Sequence, residues 1–190
     1  MSIVKIPDAR GIAEGALRIA LAYAKAGVKE EGGNNRGDQV EFFQSLWGGA
    51  PGEPWCAYFV STCFLKAYLV SNGKPATRES MRSNVGEVKS TLSFGGYCPA
   101  LWRDARRRGL WRTPSFTPSP GDFVLFDFHG QGEPHHVGIV VEKTPLALHT
   151  VEGNTSPDVH GSQADGDGVY EKRRSSHIFG YIHWTDAQGG

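Results

Sequence analysis

Cys56 is the first residue in this chain whose position suggests chemistry. It follows Pro54 and Trp55 at the predicted start of a long apolar helix. The first turn of a helix carries unpaired N–H groups and a partial positive charge, and both stabilise a thiolate. Because the pKa of a cysteine falls at such a position, Cys56 is a candidate nucleophile. The alternative interpretation is a small buried hydrophobic residue.

A thiolate nucleophile needs a base, and His136 is the candidate among the seven histidines of the chain. It opens the strand pattern HVGIVV, in which His136, Gly138 and Val140 share one face. Gly138 leaves room for another element to approach beside the imidazole. A single histidine is more often structural than catalytic, so this assignment depends on the groups around the ring.

An acidic partner for the histidine is available in the next strand pattern. Glu152 and Asn154 are two residues apart, so both side chains are expected on one face of that strand. If this strand pairs with the strand of His136, a carboxylate can hold the imidazole in the tautomer that a Cys–His–acid triad requires. Taken alone this triple is unspecific, because many proteins contain one cysteine, several histidines and a glutamate.

Four segments in a fixed order make the pattern much more specific. They are residues 52–60 (GEPWCAYFV), 120–126 (PGDFVLF), 136–140 (HVGIV) and 152–154 (EGN). In this order they resemble the motifs of the CHAP family, the cysteine, histidine-dependent amidohydrolases and peptidases that are related to the NlpC/P60 group. The helices before the motifs and the strands after them suit the same domain, so the resemblance covers most of the chain.

The resemblance implies a papain-like fold and a role for each matched residue. Cys56 would be the nucleophile, and His136 would be the general base and then the acid that protonates the leaving amine. Glu152 would orient His136, and Asn154 would be the polar fourth member of the site. Trp55, which adjoins Cys56, is a candidate substrate-binding residue, although aromatic residues are more often part of the core.

Family members mostly cleave amide bonds in bacterial peptidoglycan. The resemblance therefore implies a peptidoglycan hydrolase, either an N-acetylmuramoyl-L-alanine amidase or an endopeptidase of the stem or cross-bridge peptide. Attack of a thiolate on an amide forms a thioester through a tetrahedral oxyanion, and water then releases the acid. We expect no cofactor and no metal.

Some family members bind calcium through several aspartates that precede the cysteine, and we do not expect such a site here. Here only Asp38 lies in that region, and one carboxylate is few for a hard cation. The segment 165–168 (DGDG) lacks the spacing and the terminal glutamate of an EF-hand loop, and we interpret it as a turn.

Three other functions compete with the hydrolase. An acyltransferase or transamidase would share the thioester and pass the acyl group to an amine. A catalytically inactive wall-binding module would keep only the fold. A zinc hydrolase would use His135 or His136 with His149 and Glu152, but no metal-ligand spacing such as HExxH occurs.

The elements that must position these residues are helices in the first half of the chain and strands in the second. Helices are predicted from the Asp8 cap to Gly27, from Asp38 to Trp47, and over residues 55–70, 79–92 and 101–108. Strands are predicted over residues 122–128, 136–143, 147–154, 169–174 and 178–184. This order predicts an α+β domain with N-terminal helices packed on a central antiparallel sheet of about five strands. We expect one catalytic domain over residues 1–185 and a flexible tail at 186–190.

Composition and charge exclude several partners. The 190 residues carry 20 Lys and Arg against 20 Asp and Glu, so the basic excess that supports nucleic-acid binding is missing. No run of about 18 apolar residues predicts a membrane span. The N-terminus does not resemble an export signal. We therefore expect a protein that is made in the cytoplasm and acts on peptidoglycan after phage-type release or secretion-system delivery. We also expect a monomer, with an immunity protein or a delivery machine as a further partner.

The three cysteines do not form a disulfide framework. Cys56 and Cys63 would lie two helical turns apart, roughly 10 Å along the axis, which is too far for a disulfide. A bond between Cys63 and Cys98 stays open at this point, and the alternative is that both are buried thiols.

Overall fold

The computed structural model describes residues 8–157 and 162–185, and within them five helices precede all six strands of a single antiparallel sheet. The helices are α1 (Ala9–Lys25), α2 (Asp38–Leu46), α3 (Cys56–Ser71), α4 (Arg78–Lys89) and α5 (Cys98–Arg107). The strands are β1 (Trp111–Arg112), β2 (Phe123–Phe126), β3 (His136–Lys143), β4 (Leu148–Thr155), β5 (Gly168–Arg174) and β6 (Ile178–Ile182). The predicted α+β class is confirmed. The tail predicted at 186–190 lies outside the described residues.

The sheet has the strand order β1-β6-β2-β3-β4-β5, and all neighbouring strands are antiparallel. The sequence predicts about five strands, and the sixth is β1 at one edge, where Trp111 pairs with Ile182. Two residues are too short to produce an alternating pattern, so β1 carries no sequence signal. The adjacent strands β3 and β4 carry His136 and Glu152.

Helix α1 begins where the sequence predicts, because Asp8 caps it. The Asp8 carboxylate accepts a hydrogen bond from the backbone N–H of Gly11 at 3.2 Å. Its buried positions include Ile12, Ala16 and Ala20, which lie on one helical face. This face packs against α3, so α1 covers one side of the helix that carries Cys56.

Helix α3 is buried nearly all round, as its apolar sequence predicts, and it packs between α1 and the strands β3 and β4. Its first turns can approach β4 closely because residue 153 is a glycine. A Cβ atom at Gly153 would lie 2.7 Å from the ring of Trp55 and 2.8 Å from that of Phe59. The absence of this one carbon brings the start of α3 directly onto the strand that carries Glu152.

No helix in residues 8–157 and 162–185 is long and apolar enough to cross a membrane.

Candidate active site

Cys56 is the first residue of α3, and the residue before it is fastened to the sheet. The backbone N–H of Trp55 donates a hydrogen bond to Oδ1 of Asn154 at 2.8 Å. The helix therefore begins at Cys56. The N–H groups of its first turn have no intrahelical acceptor. The Cys56 sulfur therefore lies at the positive end of a buried helix, where a thiolate is stabilised.

His136 begins β3 and pairs with an acid on the adjacent strand, as the sequence predicts. Its Nε2 lies 3.0 Å from Oε2 of Glu152, and both side chains are fully buried. Gly138 leaves room for the Glu152 side chain, since a Cβ atom at Gly138 would lie 2.6 Å from Cγ of Glu152. The glycine therefore makes the histidine–carboxylate contact possible.

The second imidazole nitrogen of His136, Nδ1, forms no hydrogen bond of ordinary geometry and is the one left for Cys56. Burial by itself would lower the pKa of His136. The charges of Cys56 and Glu152 and the hydrogen bonds to both groups together outweigh burial and raise the pKa of His136 to about 9. The two groups thus form a thiolate–imidazolium pair whose hydrogen bond is loose in the absence of substrate.

The pKa of Cys56 is lowered well below its usual value. A hydrogen bond from the thiol of Cys98 is the largest cause, and burial opposes it. The charge of His136 and the backbone N–H of Val137 lower the pKa further. Cys56 is thus surrounded by donors from α5 and β3 as well as by its own helix terminus.

Glu152 stays ionised although it is fully buried. Burial would raise its pKa, but hydrogen bonds from Arg174 and His136 and the charges of both lower the pKa to about 2. Arg174 contacts both carboxylate oxygens, with Nε lying 2.9 Å from Oε1 and Nη2 bonded to Oε2. Thr150 donates to Oε1 at 2.5 Å. An ionised carboxylate can hold Nε2–H of the imidazolium in a fixed orientation.

Arg174 is a member of this site that sequence analysis did not identify. It ends β5 in the charged run EKRR, which is typical of a solvated strand end. The structure buries its guanidinium against Glu152 and over the rings of Phe126 and Phe128, at 5.4 and 5.0 Å from the ring centroids. The only sequence signal was the alternation of β5, which places Lys172 and Arg174 on the same face as Tyr170.

Asn154 lies beside α3 and makes no hydrogen bond to the imidazole. Its Oδ1 accepts from Trp55, and its Nδ2 donates to Oδ1 of Asn35 at 2.9 Å and to the carbonyl of Gly166 at 3.0 Å. Its φ angle of 57° and a register shift between Glu152 and Thr155 interrupt the strand at this residue. Asn154 therefore positions the start of the helix that carries Cys56.

The interpretation of Trp55 as a substrate-binding residue is wrong. Its side chain is 0% exposed, and it packs against Phe43 and Phe59 in the core. The indole N–H donates to Oε1 of Glu30 at 2.9 Å, so the polar edge of the ring is also occupied. Adjacency to Cys56 in sequence did not predict contact with substrate because a residue that precedes a buried helix can turn into the core.

All three cysteines are free and buried, so no Cys63–Cys98 bond exists. Cys98 lies instead against Cys56, with their sulfurs 3.9 Å apart. Cys63 lies inside α3, where burial raises the pKa of its thiol far above the usual value despite the nearby charge of Lys66. Of the three thiols, the structure therefore gives only Cys56 the surroundings of a thiolate.

A cleft of about 510 Å³ opens onto the sulfur of Cys56. Its lining includes Glu53, Tyr58, Tyr97, Cys98 and the segment 129–135, which contains His129 and His135. His149, a proposed zinc ligand, lies 3.6 Å from Glu142 at the far end of β3. Within the described part of the chain, no group of three or more His, Cys, Asp or Glu side chains could hold a metal ion.

Comparison with known families agrees with this geometry. The CHAP domain family matches residues 48–154, which is more than half of the chain and includes Cys56, His136 and Glu152. The chain belongs to the CHAP domain family. A comparison with curated proteins gives no match.

CHAP domains are generally cysteine- and histidine-dependent amidohydrolases. Such chemistry requires a nucleophile, a proton carrier and an orienting carboxylate, and this member places a thiol of lowered pKa, a histidine of raised pKa and an ionised carboxylate together. In this CHAP domain the Glu152 carboxylate is in turn held by Arg174.

Proposed function

We propose that this CHAP domain hydrolyses an amide bond of bacterial peptidoglycan through a thioester on Cys56. The observation that carries the proposal is the thiol of Cys56 at the start of α3, with its pKa lowered and its sulfur open to a cleft. The family supports an amidohydrolase, and the volume of the cleft suits a short length of peptide or glycan–peptide.

The first half of the reaction forms the thioester. The Cys56 thiolate attacks the carbonyl carbon, and the electron pair of the C=O bond moves to the oxygen. The backbone N–H of Cys56, which has no intrahelical acceptor, is available to this oxyanion. As the C–N bond breaks, the His136 imidazolium gives its Nδ1 proton to the leaving amine, and a neutral imidazole remains.

The second half returns the enzyme to its starting state. Neutral His136 takes a proton from water as the water oxygen attacks the thioester carbonyl, and the acid product leaves as the C–S bond breaks. Glu152 keeps Nε2–H in place through both halves, because its carboxylate stays ionised above a pKa of about 2. Cys56 leaves as a thiolate and again pairs with the imidazolium.

The first experiment compares Cys56→Ala with Cys63→Ala on purified sacculi. We expect Cys56→Ala to lose at least about 10³-fold of the rate at which soluble fragments appear, because the nucleophile is gone. Cys63→Ala, a change of the same size in the same helix, should keep the rate and lose about 1 kcal/mol of stability.

Mass spectrometry of the digests names the scissile bond. New N-terminal L-alanine amines with free muramoyl carboxyl groups indicate an amidase, and new ends within the peptide indicate an endopeptidase. The proposal is contradicted if folded Cys56→Ala digests sacculi at the wild-type rate, or if the wild-type protein releases no new amine from sacculi of any wall chemotype.

A further inference from the structure

A second thiol lies in the site beside the one that the mechanism uses. Cys98 is the first residue of α5, and its sulfur lies 3.9 Å from the sulfur of Cys56. The two residues are 42 positions apart in sequence, yet both line the same cleft. Both residues are almost entirely buried, with 3% of Cys98 and 4% of Cys56 exposed. The pair is therefore shielded from large reagents and open to small ones that enter the cleft.

The two sulfurs differ in charge, and the difference gives them different chemistry. The pKa of Cys56 is lowered and the pKa of Cys98 is raised well above the usual value, chiefly because its hydrogen is shared with the Cys56 sulfur. A thiolate is the form that a hydroperoxide oxidises. Cys56 is therefore the sulfur that is oxidised first, while Cys98 stays protonated as a thiol.

We propose that Cys98 is a resolving cysteine, which converts a sulfenic acid formed on Cys56 by a hydroperoxide into a Cys56–Cys98 disulfide. The disulfide is a reversible inactive form of the enzyme, protected from further oxidation. This inference rests on the proposed function only in taking Cys56 as the reactive thiolate of the site.

The chemistry balances in two steps. The Cys56 thiolate attacks one oxygen of the hydroperoxide, the O–O bond breaks, and an alkoxide or hydroxide leaves while Cys56–SOH forms. The Cys98 sulfur then attacks the Cys56 sulfur, the S–O bond breaks, and the leaving hydroxide takes the Cys98 proton as water. The two sulfurs together lose two electrons, and the O–O bond gains them.

Oxidation of Cys56 itself prepares Cys98 for the second step. The hydrogen bond to Cys56 and the charge of Cys56 are two of the causes that raise the pKa of Cys98. A sulfenic acid is neutral, so both causes weaken once Cys56 is oxidised, and the Cys98 thiol ionises more easily.

Bond formation needs only a small movement. The sulfurs must approach by about 2 Å to reach the length of a disulfide bond. Cys98 follows a segment that contains Gly95 and Gly96 and precedes Pro99 at the start of a ten-residue helix, so the first turn of α5 can adjust without disturbing the sheet. Cys63 is buried and does not line the cleft, so it serves as an internal control for oxidation.

The test treats the purified full chain with hydrogen peroxide, removes the peroxide and measures the intact mass; it then unfolds the protein, blocks free thiols with N-ethylmaleimide and maps the peptides by mass spectrometry. Before alkylation, wild-type protein should be about 2 Da lighter, and its peptide map should show one pair that joins Cys56 to Cys98, with Cys63 alkylated after unfolding. Cys98→Ala should instead accumulate sulfinic acid on Cys56, about 32 Da heavier. Activity lost on oxidation should return with dithiothreitol in the wild type and not in Cys98→Ala, each compared with its own untreated sample.

The inference is overturned if, among oxidised Cys56 residues, the fraction that ends as sulfinic acid is as large in the wild type as in Cys98→Ala, or if the disulfide joins Cys63. Should Cys98→Ala fail to fold, Cys98→Ser and the wild-type peptide map still decide. The peptide map needs no substrate. Wild-type protein that forms the disulfide but digests no sacculi contradicts the proposed function alone, and protein that digests sacculi but forms no disulfide contradicts this inference alone.

Discussion

Among the described residues, Glu152 and Asp122 are fully buried carboxylates that each contact one histidine and one arginine. The Glu152 cluster consists of Glu152, His136 and Arg174, and the Asp122 cluster consists of Asp122, His183 and Arg10. The histidine contacts are nearly equal in length, at 3.0 Å to Glu152 and 2.9 Å to Asp122. Both carboxylates are fully buried.

The clusters differ in what else they contact. Asp122 accepts hydrogen bonds from the backbone N–H groups of Ser119 at 2.8 Å and Trp184 at 3.3 Å, so it ties the turn before β2 to the end of β6. Its histidine packs on Phe116, with 4.8 Å between the ring centroids. The hydrogen bonds to the Glu152 carboxylate in the described structure come from side chains, and the free edge of its histidine meets the sulfur of Cys56.

The comparison shows that a buried His–carboxylate–Arg cluster is not by itself a reactive site. The Asp122 cluster joins backbone segments and is a structural clamp. The Glu152 cluster becomes a site for chemistry because a thiol at a helix terminus lies against the second imidazole nitrogen, and the charge of that thiol helps raise the pKa of His136 to about 9.

The largest difference should appear when each histidine is replaced. We expect His136→Gln to lower kcat/KM on sacculi by about 10³-fold, because both the proton carrier and the charge that stabilises the thiolate are lost. His183→Gln should leave kcat/KM within about threefold and lower stability by about 1–3 kcal/mol, since only the clamp is weakened. Fragment release and urea denaturation measure the two effects.

Equal losses of activity in His136→Gln and His183→Gln, at comparable residual stability, would contradict the division into a reactive cluster and a clamp. The wild-type pH profile adds a second criterion. Because the His136 pKa is raised, the imidazolium that protonates the leaving amine persists up to about pH 9, and activity should decline as the pH rises through that value.

A smaller difference should separate the two arginines. Arg174→Met removes a cation that compensates the buried charge of Glu152, so we expect a loss of about 3–5 kcal/mol in stability. We also expect a fall of about 10²-fold in kcat with little change in KM, because the imidazole is no longer held in place. The alkaline limb should move above pH 9, because Glu152 is ionised at that pH and its charge, no longer offset by Arg174, raises the His136 pKa further.

Arg10→Met is the matched control in the Asp122 cluster, and it should lower stability by about 1 kcal/mol without moving kcat or the alkaline limb. Arg174→Lys keeps the charge but not the two-pronged contact, so it should fold better than Arg174→Met and remain slower than the wild type. A purely structural Arg174 would lower stability and leave both kcat and the pH limb unchanged.

Most of the fold follows from the sequence because its elements are strongly patterned. The Asp8 cap, the apolar helix that begins near Cys56 and the strand at residues 136–143 all lie where periodicity and turn residues predict them. Strand β1 escaped prediction since two residues carry no period. Element bounds differ by up to three residues: α4 ends at Lys89 rather than at residue 92, and α5 begins at Cys98 rather than near Leu101 because Pro99 is at home in a first helical turn.

The site is less predictable because much of it arises from tertiary contacts. Spacing and motifs brought Cys56, His136 and Glu152 to one place in the prediction, and the structure does the same. No local pattern reveals that Arg174 is buried or that Cys98 reaches Cys56. These contacts depend on how α5 and β5 pack against the rest of the fold, and a short stretch of sequence does not reveal that packing.

The central claim is that Cys98 and His136 together lower the pKa of Cys56 and keep it ionised, and the pH dependence of its alkylation tests this most directly. The rate of iodoacetamide addition to Cys56, read from its peptide mass, should rise with a midpoint far below the usual thiol pKa of about 8.5. In His136→Gln the midpoint should move up towards that value, while Cys63 stays unreactive in both proteins. A midpoint near about 8.5 in the wild type, unchanged in His136→Gln, would contradict the account.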